Sequence, residues 1–258
     1  MQSPSAPAED TDRGSPEAVR VTMSSLVVPD LSVRHRQAEL MDDPDLEPDR
    51  HHRALTALAR VNRVSFAASR VWHEIAARGT EIDRPVRVLD VACGGGDLLI
   101  AVGRMADRAH VPVDLVGCDL SRLALGRAEE ESEGRIRTLR VDALSEQLPD
   151  ADVVTTNLFL HHLDEDDAVS LMERMAESAR HVLLVQDLRR TRLGYVFAWI
   201  GLHTLTGSDV ARVDGLRSVR AAFTVEEVGG LAARAKLENA TIRRVWPQRF
   251  VLRWSRAA

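Results

Sequence analysis

The feature of this 258-residue chain that most restricts its fold is a repeated alternation between short apolar runs and longer helical patterns. Five runs read as strands: VRVLDVA (86–92), VDLVGCD (113–119), IRTLRVD (136–142), ADVVTTN (151–157) and HVLLVQD (181–187). Each closes on or beside a carboxylate or another polar group. Helical patterns lie between them, from Asp97 to about Arg108, from Ser121 to about Ser132 and from Asp164 to about Arg180. Parallel strands need a crossover, and a helix supplies it, so this succession predicts βαβ units around a parallel sheet. Further on, Thr224-Val225-Glu226-Glu227 has the T-x-x-E form of a capping box and opens another helix. ATIRRV (240–245) and RFVLRW (249–254) are separated only by Trp246-Pro247-Gln248, too few residues for a crossover, which predicts an antiparallel pair.

The length suits one large α/β domain, alone or with an added segment. Residues 1–24 are rich in Ser, Pro and acids and have no apolar core of a signal peptide, so they read as a disordered leader. In residues 25–80, Leu55, Leu58, Val61, Val64, Val71, Trp72 and Ile75 recur at helical spacing, and Pro48-Asp49 supplies a start signal. Two amphipathic helices are expected there, separated near Asp43-Pro44 and ending at Gly79. A net charge of −5 gives no general attraction to a polyanion, and Arg243, Arg244, Arg249, Arg253 and Arg256 form only a mild basic cluster, so no nucleic-acid partner is expected. Cys93 and Cys118 have neither metal-ligand spacing nor a disulfide framework around them. No metal is expected, and a reduced cytoplasmic compartment is. No apolar run approaches the roughly 20 residues of a membrane helix.

The site signal is VLDVACGGGD (88–97), a strand that runs into three glycines flanked by acids. Glycine lets the chain turn tightly and lets a ligand approach the backbone. The dinucleotide fingerprint would need a glycine at position 99, where Leu99 stands, and no phosphate-loop lysine follows. Asp90, inside the strand and ahead of the glycines, would repel a pyrophosphate but suits a ligand with an ammonium group and a second cationic centre. S-adenosylmethionine carries both.

The stretch resembles the first motif, D-x-G-x-G-x-G, of class I S-adenosylmethionine-dependent methyltransferases, with Ala92 in place of the first glycine. The resemblance continues in order from about Arg84 to Trp254. Asp119 in GCDLS, twenty-nine positions after Asp90 and followed by Leu120, resembles the acid that grips the ribose hydroxyls. Asp142-Ala143 resembles the adenine-edge motif, and Asn157 and Asp187 mark the ends of the fourth and fifth strands. The resemblance implies a Rossmann-like seven-stranded sheet of order 3-2-1-4-5-7-6, last strand antiparallel, with helices on both faces and residues 25–80 as a helical lid over a methyltransferase domain of residues 81–258. It assigns the cofactor to Asp90, Ala92, Gly94, Gly96, Asp119, Leu120, Asp142, Ala143 and Asn157. It also admits a homodimer.

Methyl transfer from a sulfonium is a displacement in which positioning supplies much of the catalysis. A phenolic acceptor, with a pKa of about 10, gains from a general base at neutral pH. His161 and Asp187 are the candidate bases; His162 reads instead as organising, with Asp164, the entry to the next helix. Amine methyltransferases of the family carry N-P-P-Y or D-P-P-Y where this chain has Asn157-Leu158-Phe159-Leu160, which argues against a nucleic-acid amine. LGYVFAWIGLHTLTG (193–207) follows the fifth strand, where relatives build acceptor pockets, and nominates Tyr195, Trp199 and His203 for the acceptor; a core-packed helix is the competing reading. The expected acceptor is small and hydrophobic: a phenol, quinol, polyketide or lipid-like molecule, of quinone-pathway or secondary-metabolism type. An RNA or protein methyltransferase, and a non-catalytic S-adenosylmethionine-binding protein, are the alternatives.

Overall fold

The computed structural model describes residues 26–43, 46–47, 49–50, 52–54, 56–57, 66–79 and 82–256. One sheet of seven strands organises them: β1 (Val86–Val91), β2 (Val113–Asp119), β3 (Ile136–Arg140), β4 (Ala151–Asn157), β5 (Ala179–Leu188), β6 (Thr241–Val245) and β7 (Arg249–Ser255). Their spatial order is β3-β2-β1-β4-β5-β7-β6. β1 to β5 are mutually parallel, while β7 runs antiparallel to both β5 and β6. This is the expected Rossmann-like arrangement, reversed last strand included.

Helices α1 (Ala67–Gly79), α2 (Asp97–Ala109), α3 (Arg122–Glu131), α4 (Glu165–Ser178), α5 (Arg192–Leu205), α6 (Asp209–Ala221) and α7 (Val225–Arg234) surround the sheet. Strand side chains alternate between faces. Leu89, Val91, Val154, Leu183, Val185 and Leu252 point into a core shared with α4 and α7. Val86, Val88, Val153, Val182, Leu184 and Val251 point the other way, onto α1 and α2. Burial on both faces explains why these strands read as nearly continuous apolar runs. Each fully buried Val or Leu contributes roughly 1.5–3 kcal/mol.

Helix starts follow the local chemistry. The side chains of Ser121, Asp164, Thr191 and Ser208 each accept a backbone N–H of the first turn they open. Thr224 and Glu227 form the reciprocal capping box of α7. α4 ends at Ser178 rather than Arg180, because Ala179 is already extended and pairs with Ala151 of β4.

The expected first N-terminal helix is not formed. Residues 26–39 hold no helix and bend at Ser32–Val33, with only a 3-10 turn at Leu40–Asp42, and backbone groups between His35 and Met41 bond to α6. The His35 N–H donates to the Arg220 carbonyl, and the Leu40 and Met41 N–H groups donate to the buried carboxylate of Asp214. Arg217 reaches back to the Ala38 carbonyl. Of the second helical pattern, Val71 and Ile75 are fully buried in the core beneath the sheet. The leader and Leu55, Leu58, Val61 and Val64 lie outside the described residues. α6 is an element the sequence pattern left unassigned. It crosses α5 closely: a Cβ at Gly215 would come within 2.5 Å of a Leu202 methyl, so a larger residue there would have to displace that buried side chain. Among the described residues no helix is long and apolar enough to cross a membrane.

Candidate active site

β1 ends in a turn whose backbone enters the left-handed region three times, at Ala92 (φ 56°), Gly94 (φ 52°) and Gly96 (φ 76°). Gly96 is required twice over, since a Cβ there would also press on Ala128 and Ile136 at 3.0 and 3.2 Å. Ala92 holds the same conformation with a side chain, at a cost of roughly 1–2 kcal/mol. The turn is tied to β2 by the Cys93 N–H donating to the Cys118 carbonyl and the Gly94 N–H donating to Asp119 Oδ2, 2.9 Å away. Asp119 Oδ1 accepts the Ser121 N–H at 2.9 Å. Both oxygens are thus fixed, and each retains a lone pair for a ligand hydroxyl.

Asp142, past the end of β3, organises its own loop. Its carboxylate accepts the Leu144 N–H and the Ser145 hydroxyl, which hold its pKa below the usual carboxylate range. These strand ends open onto a cavity of about 410 Å³, lined by Ala92, Asp119, Leu120, Asp142, Ala143 and Phe159 among others. Of the nine residues expected to hold the cofactor, five line it. Gly94 and Gly96 do not line it but shape the turn after Ala92, and the Gly94 N–H holds the lining carboxylate of Asp119.

The remaining two, Asp90 and Asn157, do not line it, and a side-chain oxygen of each is buried. Asp90 is 2% exposed, and its Oδ1 has no hydrogen-bond partner among the described residues. Burial, reinforced by the charge of Asp119, pushes its pKa well up. Asn157 Oδ1 is likewise buried and unpartnered. Buried polar atoms are almost always satisfied, and leaving one unmade costs about 1–3 kcal/mol. These two unsatisfied acceptors stand at the ends of the paired strands β1 and β4, which run into the lining residues Ala92 and Leu158, and they fit a donor-bearing or cationic ligand.

At the ends of β4 and β5 the chain brings His161 and Asp187 together. His161 Nδ1 lies 2.7 Å from Asp187 Oδ1, and the His161 backbone N–H donates to Asp187 Oδ2 at 2.9 Å. Burial disfavours the imidazolium, but the carboxylate outweighs it and raises the His161 pKa above its ordinary value. Burial also opposes the Asp187 charge, and the imidazole with two backbone N–H donors reverses that, so its pKa is lowered. His162 lies against His161 with its ring tilted, centroids 4.2 Å apart, and burial together with its neighbour's charge drives its pKa down to about 3.

His162 lines the first cavity and also a second one, of about 320 Å³, shared with Arg36, Glu39, His161 and Arg217. The wall of this second cavity is the extended segment at residues 36–39, clamped over α6. Arg34 anchors that segment by donating to the His161 and Leu163 carbonyls while lying 3.7 Å from the Phe223 ring centroid. Glu39, Arg36 and Arg217 escaped the sequence reading because no local pattern marks them; they stand more than fifty residues from the histidines they face. Tyr195, Trp199 and His203 fall on one face of α5 and line neither cavity. Trp199 stacks on His203 at 4.4 Å, and only Gly194 and Leu202 of this helix are buried. It is therefore not a core-packed helix; Leu193 and Ile200 are half exposed.

Residues 88–181 match the family model described as a methyltransferase domain. A ubiquinone biosynthesis O-methyltransferase of Alkalilimnicola ehrlichii is 36% identical over 126 residues, 46% of this chain and 48% of that protein. A demethylmenaquinone methyltransferase of Thermus thermophilus is 34% identical over 132 residues, 48% of this chain and 58% of that protein. The chain thus spans about half the length of the curated relatives it matches. Among solved structures, a plantazolicin methyltransferase in complex with SAH superposes with a TM-score of 0.61 at 17% identity, covering 81% of this chain and 90% of that one. A magnesium protoporphyrin IX methyltransferase from Synechocystis with bound SAH gives 0.53 at 14% identity, covering 83% and 90%. These two likenesses carry the fold, and over residues 88–181 the chain is similar to a methyltransferase domain.

Proposed function

We propose that this protein binds S-adenosylmethionine in the 410 Å³ cavity and methylates an oxygen or carbon of a small hydrophobic acceptor, of phenolic or quinol type, held on the side of His161. The observation that carries the reading is Asp90, a buried carboxylate with an unpartnered oxygen two residues before Ala92, which lines a cavity rimmed by Asp119 and Asp142. The quinone-pathway names of the relatives support the acceptor class.

Bound there, S-adenosylmethionine supplies an electrophilic methyl group on a sulfonium. The chain's own residues do the rest. Asp119, braced by two backbone N–H groups, accepts from the ribose hydroxyls, and Asp90 and Asn157 offer acceptors to the cationic end. Ala143 and Leu144 present the loop edge to the base, Asp142 holding the loop in shape. Asp187 fixes the His161 ring and tautomer, leaving Nε2 turned towards the second cavity, where it can take the proton of an acceptor hydroxyl. The Asp187 carboxylate raises the His161 pKa and so strengthens the imidazole as a base for that task.

The test is calorimetry with S-adenosylmethionine followed by product analysis on a panel of phenols, quinols and structured RNA. Binding, with S-adenosylhomocysteine formed only in the phenol or quinol arm, is the expected result. Turnover confined to RNA would replace the acceptor class, and tight binding without turnover on any arm would favour a non-catalytic role.

A further inference from the structure

Glu39, His161 and His162 come together in the second cavity, with one ligating atom of each within 4.8 Å of the others. His161 Nε2 and Glu39 Oε1 are 3.9 Å apart. Around a tetrahedral ion with bonds of about 2.0–2.2 Å the ligand atoms sit about 3.3–3.5 Å apart, so a small inward adjustment of three side chains completes the set. The surroundings are those of a metal site. A ligating histidine characteristically donates its other ring N–H to a carboxylate, which fixes the tautomer and raises the basicity of the ligating nitrogen. Asp187 does this for His161 at 2.7 Å. Ser218 holds Glu39 in the same manner, its hydroxyl donating to Oε1 at 2.5 Å.

We propose that Glu39, His161 and His162 bind one divalent transition-metal ion in the second cavity, against the wall it shares with the first. Two imidazoles and one carboxylate select zinc, cobalt or iron over magnesium or calcium, which prefer all-oxygen shells. Three protein ligands leave a position open, as in catalytic rather than structural sites. Arg36 and Arg217 line the same cavity and Arg34 lies behind it, so a bare cation is opposed there; Glu39, Asp187 and the buried Asp214 counter them, and an ionised ligand in the open position finishes the balance. If the proposed methyl transfer holds, that ligand is the acceptor oxygen, its proton released to water. The lone pair of His161 then ligates the ion, which takes over from the free imidazole the task of ionising the acceptor.

Full-length protein, stripped with chelator, is titrated with Co²⁺ alone, and the visible ligand-field absorption is followed. A saturable tetrahedral spectrum at one equivalent, displaced by Zn²⁺, is expected. Glu39→Gln and His162→Ala should each remove it while their metal-free melting curves stay near that of the parent. Ser218→Ala should weaken cobalt binding by about 10–100-fold. No spectrum in folded parent protein, or a spectrum retained in both ligand variants, overturns the site. The readout uses neither cofactor nor acceptor, so it can fail while methyl transfer stands, and the calorimetric test can fail while cobalt binds.

Discussion

Asp90 and Asp152 lie on adjacent parallel strands, both buried, near opposite ends of the β1–β4 pair. Asp152 is saturated: Arg84 donates to both its oxygens at 2.7 and 2.8 Å, and the Arg87 N–H donates to Oδ2 at 2.9 Å. Burial opposes its charge, yet the guanidinium and the backbone donor more than offset this and its pKa is lowered. Asp90 has the same chemistry and the same burial without a cation, and its pKa moves the other way. One end of the sheet has completed its hydrogen bonds within the fold; the other holds acceptors in readiness. In open α/β sheets ligands bind outside the carboxyl ends of the strands, and here the difference is visible in single atoms.

The largest expected effect is kinetic and confined to the open end. His161→Ala, or Asp187→Asn, should lower methyl transfer by ~10²–10⁴-fold, the range for lost acid–base assistance, with cofactor affinity nearly retained. Asp152→Asn should leave turnover per folded molecule unchanged. Equal activity losses in all three would mean that folding, not proton transfer, is being measured.

Next comes stability. Asp152→Asn presents an amide to a guanidinium that has lost its charged acceptor and should cost about 1.5–3 kcal/mol in urea denaturation. Asp90→Asn should cost little or even stabilise, because it removes a desolvated carboxyl, while weakening S-adenosylmethionine binding. If Asp90→Asn destabilised the protein as much as Asp152→Asn, Asp90 would be a structural acid and the contrast would collapse.

The two acids should also separate by pH. Asp152, with its lowered pKa, contributes stability that is present above the unfolded value of about 3.9 and lost as pH falls through its lower folded value. Asp90 is raised, so ionising it costs stability as pH climbs from about 3.9 through its folded value. A cationic cofactor favours the ionised form. Its binding should therefore strengthen as pH rises through the raised Asp90 pKa and release a proton, detectable as a buffer-dependent calorimetric enthalpy that vanishes in Asp90→Asn. His161 is raised too: the stability of its pair with Asp187 is complete below about 6.5 and fades as pH rises through the folded value, while the rate should rise over that same interval.

Much of the closed end was legible in the sequence, and less of the open end. β1, β2, β4 and β5 announced themselves because strands buried on both faces are nearly continuous apolar runs, and the hairpin of β6 and β7 because three residues cannot make a crossover. Asp90, the glycines and Asp119 follow one another in a fixed local order, so a linear reading finds them. The second cavity has no such order. Glu39 reaches His161 only because residues 26–39 are pinned to α6, and α6 itself is obscured by a buried Asp214 and by Gly215 within its apolar pattern. Chain segments that satisfy their backbone through another element carry no periodicity of their own. The α5 aromatics illustrate the converse, for an apolar helical stripe was plain to read while the surface it faces was not.

The smallest expected effect tests whether strain at the glycine turn is part of the open end's design. Ala92 is held at φ 56°, where a Cβ is disfavoured, and the motif it resembles carries glycine there. Ala92→Gly relieves about 1–2 kcal/mol in the folded state but gives back about 0.4–1 kcal/mol through the added freedom of the unfolded chain. The net should be a stabilisation of about 0–1.6 kcal/mol, with cofactor affinity close to the parent because only one methyl group leaves the cavity wall. Gly96→Ala, at φ 76° and pressed against Ala128 and Ile136, should move in the opposite direction and by more, since it adds steric conflict to the same backbone penalty. Thermal melts of the two variants, with and without cofactor, give four numbers. Ala92→Gly less stable than the parent would show that the methyl group packs usefully and that the strain is compensated locally. A stable Ala92→Gly that has lost cofactor binding would show instead that the side chain, not the turn, shapes the pocket.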